Sequence, residues 1–575
     1  MPSANALLLL LLHVLCPASS LITLPSIFTD GAVLQTNAEY GSRAYVYGWG
    51  SPSETITVAF EPSAAPHGAS TNFSAVADPA TGYWIVTLNP LSEGALFALT
   101  VSGSVSANSV RIRDCVGGDV YLCGGQSNQC FSAEDAFPPG PALAKQTYPN
   151  IRLFSVVMKG APTEQRDFQP VAPGEQCTWN HDKVNATAST CNTWVPSTPA
   201  TNARFSAVCL FTALQIMANH TGSSRPIGLI YSAFGGTSLS LWAPPAAYEG
   251  CPGAPAPAPQ PGSLWNAMIN PLVHYAIRSV LFFQGEQDVG SEAATPGWYA
   301  CRFQRLIAHW RAAWGTGDFA FNFVQLGAVN PGSPSTSTGA LRIAQGAALP
   351  RPNGTTDISG MAAAYDLGDA SSPYTSVHFR NKVEVGRRLA AATLHTAFAL
   401  QYPAVSWAPP AIVGATPASA PPFAALTLAL SSQDGAGAVL VDGGECTQCC
   451  RGGGAAALLQ LRLRGGGAGA WVDASAVELA AGGAELRVTA PEPGDWAEVR
   501  LAAQDYPQCA LLGAASGLPV FAQQVEVGGA PAPTPAPAPA PAQQLAAGAG
   551  GGELVWKGRS YAWQGGEALP PMGLK

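Results

Sequence analysis

Apolar and polar positions change rhythm twice along the chain. From 21 to 113, short runs such as Arg43-Ala44-Tyr45-Val46-Tyr47, Thr55-Ile56-Thr57-Val58-Ala59-Phe60, Tyr83-Trp84-Ile85-Val86-Thr87-Leu88 and Phe97-Ala98-Leu99-Thr100-Val101 alternate with Gly, Pro, Ser and Asn turns. That spacing predicts a small β-sandwich. From 114 to 402 the pattern becomes apolar strands followed by longer helical stretches, with strands expected at 118–123, 151–157, 227–231, 279–283, 321–326 and 358–364. The clearest helix is 298–314, where Phe303, Leu306, Ile307, Trp310 and Trp314 recur at three- and four-residue steps and mark one buried face. Segment 205–217 is apolar on nearly all sides, as a helix packed between other elements would be. Strands alternating with helices imply a parallel sheet covered on both faces, whose working residues gather at the carboxyl ends of its strands.

Between 403 and 529 the β rhythm returns, in runs such as Leu459-Gln460-Leu461-Arg462-Leu463 and Trp496-Ala497-Glu498-Val499-Arg500-Leu501, which predicts a second β-rich domain. Residues 530–542 then form an extended Pro-Ala linker. The Gly- and Ala-rich tail, 543–575, is expected to be disordered.

Composition agrees with a multidomain folded protein. At 575 residues the chain exceeds the ~250–300 at which single cores stop growing, and it is 47% hydrophobic with only 11% charged residues. A net charge of −8 offers no basic field for a phosphate backbone, so a nucleic-acid partner is not expected. Residues 1–20 have the apolar run and small-residue ending of a signal peptide, although the positive n-region is missing. A short membrane anchor is the alternative, and the run is below the ~20 apolar residues a span needs. With the leader goes Cys16, leaving an even number of Cys from the thirteen in the chain, as suits disulfides in the secretory pathway, whether secreted or lysosomal/vacuolar. Sequons at Asn72, Asn185, Asn219 and Asn353 fit the same compartment.

The chemistry concentrates at strand ends. Strand 118–123 runs into Gly124-Gly125-Gln126-Ser127-Asn128, where a tight turn would expose Ser127 at a helix start. A nucleophilic Ser needs that exposure, a neighbouring base and donors for an oxyanion. An N-cap is the other use of such a Ser. The base is sought among few His, and His378 stands out because it follows the loop SSPYTSV and precedes a helical run from Asn381. Asp366 and Asp369, at the end of strand 358–364, are placed to orient its imidazole. Two further strand ends carry Gly235-Gly236 and Gln284-Gly285-Glu286-Gln287-Asp288, which offer oxyanion donors and polar side chains.

Together the blocks GGDVYLCGGQSN (117–128), PIGLIYSAFGGTSLSLW (226–242), LWNAMINPL (264–272), VLFFQGEQD (280–288) and DLGDASSPYTSVHFRNKVEVGRRLA (366–390) resemble the sialate O-acetylesterase family of SGNH-type hydrolases. Tyr506-Pro507-Gln508-Cys509-Ala510-Leu511 resembles that family's C-terminal β segment. The resemblance implies a flavodoxin-like SGNH hydrolase domain of α/β class, flanked by N- and C-terminal β-rich, sandwich-like domains. It implies Ser127 as nucleophile and His378 as base, with Asp369 or Asp366, or a backbone carbonyl, behind the His. The oxyanion donors it implies are the amides of Ser127 and of Gly236 or Gly235, with Gln284 or Gln287. Gln126, Asn128, Glu286 and Asp288 stand beside them as candidate substrate-binding groups.

The chain departs from the family pattern at four places. Gln129 replaces Met, Phe379 replaces Pro, Thr375 stands where many SGNH enzymes have the acid, and Gln287 stands where the family has Ser. The implied reaction is hydrolysis of O-acetyl groups on sialic acid, without metal or organic cofactor. Other acetylated glycans of xylan type, or glycan binding by an impaired site, are the alternatives.

Overall fold

The computed structural model describes residues 21–529 apart from 37–42, 64–69, 89, 173–174, 176, 178–189, 220–224, 254–259, 316–318, 350–357, 399–408, 419–421, 432–436, 442–455, 457, 466–470 and 508–509. The leader (1–20), linker (530–542), tail (543–575), Asn185, Asn353, His67, His181, His220, Cys446, Cys449, Cys450 and Cys509 lie outside the described residues.

One strand, Ser109–Gly125, organises the molecule. Its first half pairs antiparallel with Leu96–Gly103, placing Ser109 opposite Ser102 and Val116 opposite Leu96. Its second half lies between two parallel partners, Ile227–Ala233 on one side and Ser279–Phe283 on the other. Residue 113, where the sequence rhythm changes, therefore falls inside a strand shared by two sheets. Exposure follows that division, because the first residues are partly solvated whereas Cys115–Gly125 are all buried, as a parallel strand covered on both faces must be.

Across the central sheet the order is Ser359–Ala363, Ala320–Gln325, Ser279–Phe283, Ser109–Gly125, Ile227–Ala233, Tyr148–Ser155 and Trp194–Ser197. Only the last pair is antiparallel. Side-chain alternation on Ala320–Gln325 fixes what covers each face. Phe321 and Phe323 pack on Phe303 of helix Trp298–Trp314, with ring centroids 5.8 and 4.8 Å apart. Asn322, between them, points the other way and donates to Thr396 of helix Lys382–Ala397 at 2.9 Å. Helices thus cover both faces. The apolar helix Ala207–Asn219 lies against Lys382–Ala397, where Gly386 lets the two approach; a Cβ there would sit 2.8 Å from Phe211 Cβ.

Additional antiparallel sheets flank this core. On the N-terminal side, Thr55–Pro62 pairs with both Thr71–Val76 and Leu96–Gly103, and Tyr45–Trp49 pairs with Tyr83–Thr87. The C-terminal region forms two four-stranded sheets around Leu426, Leu428, Leu461, Leu486, Val488, Val499 and Leu501. Arg342 ties this region to the core, donating to the carbonyls of Leu326 and Gly327 on one side and Gln504 and Asp505 on the other.

Among the described residues, three disulfides join Cys123 to Cys209, Cys177 to Cys191 and Cys251 to Cys301, while Cys115 and Cys130 are buried thiols. Such bonds accord with an extracellular or lumenal protein. Among the described residues no helix is long and apolar enough to cross a membrane.

Candidate active site

After Ser109–Gly125 the chain moves to Tyr148–Ser155 and Ile227–Ala233 on one side, then returns to Ser279–Phe283 on the other. In open α/β sheets the crevice for ligands opens at such a reversal, beyond the carboxyl ends of the strands. Ser127 and the 284–288 loop both stand there.

The turn into Ser127 depends on glycine. Gly125 has φ +132°, and a Cβ on it would lie 2.1 Å from the Phe283 carbonyl oxygen. The Gln126 N–H donates to that same carbonyl at 2.9 Å, so the neighbouring strand fixes the turn. Ser127 then opens the four-residue helix Ser127–Cys130 and remains 9% exposed. Gly235 abuts it, since a Cβ built there would be 3.5 Å from Ser127 Cβ, and Gly236 adopts φ +70° beside it.

His378 meets Ser127 from the loop before helix Lys382–Ala397: Nε2 lies 2.9 Å from Ser127 Oγ. On the far side of the ring, Nδ1 lies 2.7 Å from the Tyr374 carbonyl oxygen and 3.4 Å from Thr375 Oγ1. The loop folds back tightly enough to do this because Thr375 takes φ +73° and the His378 N–H donates to the Thr375 carbonyl. Tyr374 is itself held, its hydroxyl donating to Asp135 at 2.7 Å.

Both expected aspartates are held by arginines. Asp369 accepts from Arg380 Nε at 2.6 Å and Nη2 at 3.0 Å, and Asp366 accepts from both terminal nitrogens of Arg388 at 2.6 and 2.7 Å. A guanidinium fork satisfies a carboxylate better than one imidazole N–H does, so the arginines claim both acids. Burial alone would raise the Asp369 carboxyl, but the hydrogen bonds from Arg380 and Ser371, with the Arg380 charge, together outweigh it and hold the group below its ordinary value.

The 284–288 loop divides its roles. Gln284 is fully engaged: its amide donates to the Thr237 carbonyl and to Asp288, and its oxygen accepts from Tyr299. Asp288 is buried and accepts from Ser238 and the Leu239 N–H, so it braces the 235–239 loop instead of facing a ligand. Burial pushes its carboxyl up to about 6, with those hydrogen bonds opposing the shift. Glu286 accepts from Gln126 and Asn128, and desolvation raises its carboxyl as well. Asn128 is spent on protein contacts, whereas Gln126, Glu286 and the exposed Gln287 reach the cleft.

That cleft, of about 590 Å³, is lined by Ser127, His378, Gly235, Gly236, Gln126, Glu286 and Gln287 on its polar side and by Met158, Phe234 and Val377 on its apolar side. Sequence reasoning did not single out Met158, Phe234, Val377 or Tyr374. Met158 lies just beyond the end of Tyr148–Ser155, and Phe234 follows Ile227–Ala233, so strand ends were the available signal.

Comparison with known proteins gives this geometry its setting. Residues 158–395 match the family model described as carbohydrate esterase, sialic acid-specific acetylesterase. The chain is 27% identical over 402 residues to sialate O-acetylesterase of Rattus norvegicus and 28% identical over 370 residues to that of Homo sapiens. Each match takes in 60% of this chain and 69% and 66% of the relative, so the chain spans about two thirds of their length. A carbohydrate acetylesterase from Xanthomonas citri superposes with a TM-score of 0.67 at 25% identity, covering 88% of this chain and 99% of that one. A mixed α/β core with Ser and His facing each other at its strand ends, taken with these matches, defines the class: a carbohydrate esterase. Within that class the chain is similar to the sialate O-acetylesterase family, over residues 158–395 of its length.

Proposed function

We propose that this esterase removes O-acetyl groups from sialic acid through a Ser–His acyl-enzyme mechanism, on a flavodoxin-like SGNH domain. The observation that carries the reading is the 2.9 Å separation of His378 Nε2 and Ser127 Oγ. Ser127 Oγ attacks the acetyl carbonyl while His378 Nε2 takes its proton. The Tyr374 carbonyl, accepting from Nδ1–H, holds the imidazole in the tautomer that leaves Nε2 free to act as base. The backbone N–H groups of Ser127 and of Gly235 or Gly236 receive the oxyanion, with the Gln287 side chain as third donor. Met158, Phe234 and Val377 give the acetyl methyl an apolar wall. His378 then returns its proton to the departing sugar hydroxyl and activates water, which releases acetate and restores Ser127.

A second reading keeps the chemistry and changes the sugar. It is favoured by the likeness of 88% of the chain to a solved enzyme described only as a carbohydrate acetylesterase. Acetate release from O-acetylated sialic acid and from acetylated xylan, measured for wild type and Ser127→Ala, tests both. Faster release from the sialic acid, lost in the variant, is expected. Faster release from xylan replaces the substrate and leaves the mechanism, and undiminished release by the variant removes the mechanism.

A further inference from the structure

Lys382 is completely buried at the start of helix Lys382–Ala397. Its Nζ donates to Asn128 Oδ1 at 2.6 Å and lies among three aromatic rings, 3.6 Å from the centroid of Phe379, 5.0 Å from Phe131 and 5.5 Å from Phe283. Burial holds its protonation well below the ordinary lysine value, with the nearby Glu286 and Asp369 charges opposing the shift.

Asn128 follows Ser127 in sequence, and its amide has two ends with opposite hydrogen-bonding character. With Lys382 Nζ donating to Oδ1, the NH₂ end turns toward its other neighbours. There it donates to Glu286 and, at 2.9 Å, to the carbonyl of Val377, the residue before His378. The chain of contacts continues: Glu286 accepts from Gln126 at 2.7 Å, and Gln126 accepts from the Gln287 N–H at 3.4 Å. One amide orientation therefore ties together the serine turn, the histidine loop and the loop that carries Gln287.

We infer that Lys382 is a positioning residue for the esterase reaction, acting through Asn128 to set Ser127 and His378 in register. The inference rests on the reading of Ser127 as nucleophile and His378 as base. Removing the Nζ donor leaves Oδ1 buried without its partner and allows the amide to turn over, which releases Val377 and the imidazole that follows it. A displacement of ~1 Å in a reacting pair can cost about 100-fold in rate.

The test measures kcat and KM for p-nitrophenyl acetate in the full-length wild type, Lys382→Met, Asn128→Ala, the double variant and Ser127→Ala. Lys382→Met is expected to lower kcat about 100-fold with KM within about threefold, since it disturbs alignment and not binding. If Lys382 acts through Asn128, the double variant is no slower than Asn128→Ala alone. A wild-type kcat in Lys382→Met, or losses that multiply in the double variant, overturns the inference. Should Lys382→Met lack a cooperative unfolding transition, Asn128→Asp decides. Its carboxylate still accepts from Lys382 but cannot donate to Val377, so kcat must fall comparably, and an unchanged kcat overturns the inference. Activity lost in Ser127→Ala but kept in Lys382→Met rejects the Lys382 role alone, whereas activity kept in Ser127→Ala rejects both readings.

Discussion

The carbonyl oxygen of Tyr374 lies 2.7 Å from Nδ1 of His378, in the place where a serine hydrolase triad commonly has a carboxylate. A carbonyl dipole can fix the imidazole tautomer, but it lacks the full negative charge that steadies an imidazolium. The arrangement separates orientation of the base from stabilisation of its charged form.

Substituting the nearby acids should therefore affect folding more than chemistry. Disabling a triad acid lowers kcat by about 10⁴-fold in a trypsin-type enzyme. Asp369→Asn is expected to keep kcat within about tenfold while lowering stability by about 1–3 kcal/mol through loss of charge-assisted bonds to Arg380. Steady-state kinetics and urea unfolding of the same preparation check it. A kcat loss near 10⁴-fold at unchanged stability would restore Asp369 as the acid.

Much of the site was legible because its signals are local. The stripe Phe303, Leu306, Ile307, Trp310 and Trp314 marks its helix unaided, and Ser127 and His378 follow strand ends or loops whose glycines and turn residues are visible in sequence. The support behind His378 was harder to find, because a backbone acceptor such as Tyr374 O has no residue signature. Asp366 and Asp369 were near enough to serve, but the preference of carboxylates for Arg388 and Arg380 is settled only in three dimensions. Lys382 reads as an ordinary polar position at a helix start, and nothing local reveals its aromatic surroundings. The continuity of Ser109–Gly125 was hidden by Gly117-Gly118, which resembles a break. Gly118 is instead a point of close approach, where a Cβ would lie 2.3 Å from the Pro226 carbonyl oxygen.

The two glutamines should separate cleanly. Gln287 is exposed to the cleft, and Gln287→Ala is expected to lower kcat about 10²–10³-fold, the usual effect of losing one oxyanion donor, with the unfolding midpoint unchanged. Gln284 is buried with all its polar atoms engaged, so Gln284→Ala should lower the unfolding midpoint. Kinetics and thermal unfolding of both variants test the division. Normal turnover in Gln287→Ala would remove its proposed role.

Asp288 predicts a pH dependence of stability with a definite sign. Its carboxyl is raised to about 6 in the fold, above the ~3.9 of an unfolded aspartate. Between those values the folded state retains a proton that the unfolded state has lost. The resulting stabilisation is fully present below pH ~3.9, declines as pH rises and is gone above about 6. The unfolding free energy of wild type minus that of Asp288→Asn should therefore fall between pH 4.5 and 6.5 and level off by pH 8. A difference independent of pH would contradict the assignment.

The most direct test of the central claim is covalent capture of the nucleophile by a fluorophosphonate, followed by peptide mass spectrometry of the folded protein. One adduct is expected, on Ser127, forming roughly 10³-fold more slowly in His378→Ala because the base is gone. An unlabelled Ser127, as a glycan-binding protein with an impaired site would give, or equal labelling rates with and without His378, would contradict it.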